Sequence, residues 1–559
     1  MHHSAPWCAG LALLLCACTG VISPSGSKAD GDDAPGVSPS GAGGGPSGAV
    51  GDPGLPPVDM PASAPLRRLT RAQYDNTVRD LLGIDAHPAA DFGLDEQGGG
   101  FASNFKAPVE LLQVERYQQA AEELAEQADL ALLAPCALPG GDEAQCLEEF
   151  LAGFGTRAYR RPLSAEELAA YRQLFSTAGD FAGGIRLVLS TMLQSPYFLY
   201  RPELGNPLVV ENDGLPLTAY ELASRLSYLL QNTMPDAELF AAAAASALQT
   251  PEQLADQVRR LLAAPAASDT FVSFHEQWLE VEDLGDLEKN TEIYPAFTAE
   301  LKSALQSELH EFVEHAMREG EGRLSTLLTA DFSFLSGPLY ELYGLPQPDA
   351  ATSGAVTQVT LPAGQRAGLF TLASVMARHS HPDQSSPVKR GYMVLDKLLC
   401  TVPPPPPANV DITVPEVDPS VPTSVRFEQH RVDPACASCH SLMDPLGMAF
   451  EHYDGIGRYR PSEAGLPVDA SLELTGTDQD GPVQNAVELM SKLAAAAEVR
   501  DCMARQWFRY AFGRADEPED AGAILAASSA LAGSDQRIGE LLAALTSSRG
   551  FRYRKPVVQ

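Results

Sequence analysis

Helix-start signatures recur along this chain, and they constrain its fold more than any other feature. Thr70 and Gln73 form a capping box, with Leu69 and Tyr74 at the hydrophobic-staple positions and Gly83 placed to end the helix. Ser164 and Glu167 repeat the box between Leu163 and Leu168, and Thr218 and Glu221 repeat it between Leu217 and Leu222. Thr250-Pro251 with Gln253 starts another helix, with Pro at the tolerated first position, and Ser386-Pro387 starts one that carries Leu395, Leu398 and Leu399 inward. The boxes share chemistry and not a fixed period, so they do not mark a repeat protein. Strand signals are few: Leu208–Val210, Val356–Leu361 and the alternating run Val468–Leu474. The expectation is a mainly α, multi-helical fold with minor β.

The chain has 559 residues, 39 Lys plus Arg against 73 Asp plus Glu, and a net charge of −34. That surface repels phosphate backbones and excludes nucleic acid as a partner. It suits a well-hydrated domain or a basic redox partner. The apolar run Ala9–Cys16 ends in Leu15-Cys16-Ala17-Cys18, which is similar to a bacterial lipobox, although the preceding residues include His2 and His3 and no Lys or Arg. The expectation is a signal peptide over 1–17, a lipid on Cys18 that anchors the chain to a membrane of the cell envelope, and a Gly/Ser/Pro tether over 18–64.

Cys436-Ala-Ser-Cys439-His440 reads C-x-x-C-H, the attachment pattern of a c-type haem. Two thiols at i and i+3 can form thioethers to the two vinyl groups, and the adjacent His440 serves as proximal iron ligand. The alternatives are a disulfide or half of a zinc site, and no second C-x-x-C completes a four-thiolate site. The pattern therefore predicts one covalent haem c on Cys436, Cys439 and His440. The distal ligand stays open between His430, Met448 and a vacant or water-bound position. Met443 lies too close along the chain, and His379 and His381 are remote in sequence. Pro445 and Gly447 are placed to let backbone approach a porphyrin, or else form an ordinary turn. Lys389, Arg390, Arg458 and Arg460 can pair with propionates or serve as structural ion pairs. Asp478–Gly481 reads as a solvated turn and not a calcium loop. With Cys18, Cys436 and Cys439 assigned, four cysteines remain. Cys136 with Cys146 and Cys400 with Cys502 are the expected disulfides, against four free buried thiols.

Arg68–Gly83, Arg157–Leu163, Ser195–Arg201, Tyr220–Leu230, Arg366–Leu369, Ser386–Gly391, Cys436–Tyr453 and Trp507–Arg514 together resemble one family. It comprises large exported planctomycete and myxobacterial proteins built from domains of unknown function 1587, 1595, 1592, 1588 and 1585. The resemblance implies helical domains over 65–135, 136–205 and 206–350, a haem-bearing domain over 360–460 and a C-terminal helical domain over 461–559. The expected role is electron transfer or redox chemistry at the haem. The alternatives are a peroxidase-like oxidoreductase, or a surface scaffold or binding lipoprotein whose haem is structural or absent.

Overall fold

A computed structural model of the chain describes residues 58–106, 109–137, 142–348, 354–404, 417–418, 420–427 and 434–556. Cys18 and His430 lie outside these residues.

The helix starts form as their side chains dictate. Thr70, Ser164, Thr218 and Thr250 each accept from the backbone N–H three residues on, and Gln73, Glu167, Glu221 and Gln253 each return a bond to the cap. Ser386 accepts from the Lys389 N–H and opens Pro387–Leu398. Gly83, at φ +70°, closes Arg71–Leu82 in the left-handed region that suits glycine. The mainly α expectation holds, since strands among the described residues are short pairs. Thr357–Thr360 pairs antiparallel with Phe332–Leu335, and Leu472–Leu474 with Gly481–Val483. The run Leu208–Val210 is not a strand. Leu208 is 92% exposed, and the positive φ values of Asn212 and Asp213 turn the chain before any pairing. The strand just beyond, Leu215–Pro216, pairs instead with Tyr553–Arg554.

Three apolar cores organise the body. Tyr74, Val78, Phe150, Leu189 and Phe198 share the first, which Arg67–Arg68 closes by pairing antiparallel with Tyr200–Arg201. The main core joins Leu222, Phe274 and Trp278 to Phe370, Val394, Trp507 and Leu541. A smaller one gathers Leu284, Phe297, Leu305, Leu339 and Ile456. The beginning and end of the described body also meet: the Lys555 N–H donates to the Ala62 carbonyl at 3.0 Å and the Arg549 N–H to Asp59 Oδ2 at 2.7 Å.

Both expected disulfides are present. Cys136–Cys146 closes a short loop, and Cys400–Cys502 joins the segment after Pro387–Leu398 to Ala497–Phe512. Among the described residues, no helix is long and apolar enough to cross a membrane.

Candidate cofactor site on the motif helix

Cys436, Cys439 and His440 lie on one helix, Pro434–Met448. At i, i+3 and i+4 they share a face. Cys436 and Cys439 are half-buried and stand outside both disulfides. One turn further on is Asp444, fully buried, whose Oδ1 lies 2.9 Å from His440 Nδ1. With Nδ1 donating to this carboxylate, the neutral imidazole presents the Nε2 lone pair. The second carboxylate oxygen, Oδ2, is buried without a hydrogen-bond partner. Two thiols and an imidazole oriented through Nδ1, all on one helix, fit a covalently attached haem.

The helix runs through Met443–Met448, where a turn was one expectation, and its C-terminal half is committed to packing. A Cβ on Gly447 would lie 1.7 Å from the Pro387 carbonyl oxygen, and one on Gly391 would lie 1.9 Å from that of Met443. The two glycines thus bring helices Pro434–Met448 and Pro387–Leu398 into backbone contact. Gly447 serves this crossing.

Arg390 also differs from its propionate reading. It is fully buried and donates to the carbonyls of Phe450, Tyr453 and Asp454 at 2.9, 2.7 and 2.7 Å and to Ser380 Oγ at 2.9 Å. It therefore collects carbonyls from the turn that follows the motif helix. Glu451 lies beside it, bonded to Arg460 and Ser385 at 2.8 Å each. Burial pushes the Glu451 carboxyl up, against the pull of Arg390 and Arg460. Lys389 Nζ reaches the Ser380 carbonyl at 3.3 Å. Asp478 Oδ1 accepts from the Ala497 N–H at 3.2 Å, so that turn helps start a helix.

The structure removes one distal candidate. Met448 is buried on the same helix as His440, eight residues on, about 12 Å along the axis. It cannot face His440 across an iron while the helix is intact. Met443 is buried in the main core. His379 is buried with Nε2 against the Leu279 carbonyl at 2.9 Å, and burial holds its pKa down to about 4. A cavity of about 210 Å³ lies against Leu442 and Pro445, on the side of the helix turned from Cys436.

Asp444 is a site residue that the sequence analysis left without a role. The signal was its i+4 spacing from His440, the spacing at which helical side chains meet.

Helical modules around a C-x-x-C-H helix define the class of this protein. Five family models, each described as a protein of unknown function, match in tandem: DUF1587 over 67–129, DUF1595 over 146–203, DUF1592 over 217–345, DUF1588 over 366–463 and DUF1585 over 480–551. The chain belongs to the family assembled from these five domains. The DUF1588 model, which contains the motif helix, carries the short name PSCyt3, a hint of a cytochrome-like domain. No curated protein and no solved structure matches the chain.

Proposed function

We propose that this chain is an envelope-anchored c-type haem protein that works in electron transfer. The observation that carries the reading is the 2.9 Å pairing of His440 Nδ1 with buried Asp444 on the helix that also carries Cys436 and Cys439. Cys436 and Cys439 would hold the haem covalently and His440 its iron; when bound, the haem supplies one-electron exchange. Asp444 fixes the imidazole's tautomer and direction. The Gly391–Gly447 crossing and the Cys400–Cys502 bridge hold the surrounding helices, which limits rearrangement when charge changes. A lipid on Cys18 would tether the body to the membrane, and the net charge of −34 suits a basic redox partner.

A second reading, peroxidase-like chemistry at an open distal side, draws support from the position of Met448 on the proximal helix. A haem stain of denatured protein, made in a host that matures c-type cytochromes, tests the assignment. Staining is expected in the wild type and lost in Cys436→Ala/Cys439→Ala; staining retained in the double variant sinks it. Absorption spectra of the reduced protein with and without carbon monoxide separate the two readings. An unchanged spectrum favours electron transfer, and a carbon monoxide shift favours the open site.

A further inference from the structure

Remote from the motif in sequence, a polar cleft of about 620 Å³ is lined by residues from four of the five family domains. Arg67 and Arg201 form its floor. They are direct cross-strand partners on a two-residue antiparallel ladder, 5% and 7% exposed. Like charges directly opposed on a ladder are unfavourable. The nearby carboxylate, Glu203, is engaged in a two-pronged pair with Arg225, with Arg67 3.6 Å away. Among the described residues, the Arg201 guanidinium makes no hydrogen bond. Its Nε is buried without a hydrogen-bond partner, the Tyr228 ring face lies 4.8 Å from the guanidinium carbon, and Glu203 attracts it only through space. The Tyr228 hydroxyl is occupied by Thr77 at 2.9 Å and Arg160 at 3.2 Å, so the ring holds Arg201 in place. Burial and then the Arg67 charge oppose the Arg201 cation, which a guanidinium nevertheless keeps. Glu203, already engaged by Arg225, attracts Arg201 without bonding to it, and a buried guanidinium left without a hydrogen-bonded counter-ion is unfavourable. An anion entering the cleft would relieve it.

The mouth has the opposite sign. Glu276, paired with His310 at 2.7 Å, and Glu314, bonded to Ser268 at 2.9 Å, line it with partly exposed carboxylates. They repel polyanions and accept hydrogen bonds. A planar carboxylate matches the guanidinium fork on the floor, and a donor at the far end of the same molecule matches the mouth.

We propose that this cleft binds a small organic acid bearing an ammonium or hydroxyl group at its far end, its carboxylate on Arg201 beside Arg67 and its donor between Glu276 and Glu314. Calorimetric titration of the intact chain with γ-aminobutyrate, γ-hydroxybutyrate, butyrate, butylamine and inorganic phosphate tests this. At least one of the first two should bind, with butyrate about tenfold or more weaker and butylamine and phosphate silent at millimolar concentration; which of the two binds identifies the donor. Arg201→Met should abolish binding and raise the melting temperature of the ligand-free protein, because it removes a buried charge that no carboxylate hydrogen-bonds. Should that variant not fold, Glu276→Gln/Glu314→Gln provides the second test: the preference for the donor-bearing acid over butyrate should shrink. Phosphate bound in preference, silence of both donor-bearing acids, unchanged binding in Arg201→Met, or an unchanged preference in the double variant would each overturn the proposal.

Discussion

A histidine that binds a metal through Nε2 needs its other nitrogen held, and under the proposed haem assignment the holder for His440 is Asp444, one helical turn on. A carboxylate on the far nitrogen makes the imidazole a stronger donor. If the proposed haem is bound through Cys436 and Cys439, Asp444→Ala should leave that attachment intact and raise the haem's reduction potential. Potentiometric titration reads this, and a potential equal to that of wild type would show that Asp444 does not tune His440. A second residue makes stability depend on pH. Glu308 is fully buried, its Oε1 accepting from Ser333 Oγ at 2.6 Å, and burial pushes its pKa up to about 7. An acid raised in the folded state binds its proton more tightly there than in the unfolded chain. Its contribution is thus complete below about pH 4.5 and is lost as pH rises toward 7. The loss is on the order of 3 kcal/mol. Glu308→Gln should match wild type near pH 4.5 and exceed it near pH 8; chemical denaturation at the two pH values checks this, and parallel stabilities would refute it.

Helix positions were legible in the sequence because caps are local: Thr70, Ser164, Thr218 and Thr250 each find their partner within three residues. What the caps cannot specify is which helix meets which. Gly391 and Gly447 are 56 positions apart in sequence, and neither suggests alone that two backbones touch there. Arg390 was ambiguous for the same reason, because its acceptors are carbonyls beyond the motif helix, and carbonyls leave no mark in a sequence. Arg160 and Arg366 act alike: Arg160 donates to the carbonyls of Tyr197, Phe198 and Tyr200, and Arg366 to those of Thr371 and Gly457. These arginines lie in stretches that carry the family resemblance, and they serve the fold. The glycine contact makes a sharp prediction. Gly391→Ala and Gly447→Ala each place a methyl group onto a main-chain oxygen that no rotamer change can move, so each should destabilise by about 3 kcal/mol or more. Gly153, inside helix Glu143–Tyr159, has open space where a Cβ would go. Gly153→Ala should instead stabilise by about 0.5–1 kcal/mol. Thermal unfolding of the three variants is the measurement, and equal effects would show that the helix crossing is looser than described.

The family boundaries divide the sequence more finely than the packing divides the molecule. The DUF1588 stretch supplies Phe370, Met376, Val394 and Phe450 to a core whose largest members, Trp278 and Trp507, come from other domains. The Trp278 indole N–H donates to the Lys397 carbonyl at 3.2 Å, and its ring meets Phe370 edge-on at 5.4 Å. Cys400 ties the same stretch to Cys502 across 102 residues. In the chain-entropy model such a bridge contributes about 4–5 kcal/mol. Cys400→Ser/Cys502→Ser should lower the melting temperature without abolishing the fold, because the apolar contacts remain; an unchanged midpoint would show that the bridge constrains little. Severing the stretch is a harsher change. Residues 366–463 alone would expose Val394, Met376 and Phe370 to water, leave the Lys397 carbonyl without its indole donor and lose the covalent clamp. A fragment of that length is long enough to fold alone, so these lost contacts decide its fate. Expressed by itself, 366–463 should show weak helicity by circular dichroism, narrow amide dispersion in NMR and no cooperative melt. A sharp thermal transition in the isolated fragment would mean that the haem-motif region carries its own core, and that the packing against Trp278 and Trp507 is docking between finished domains.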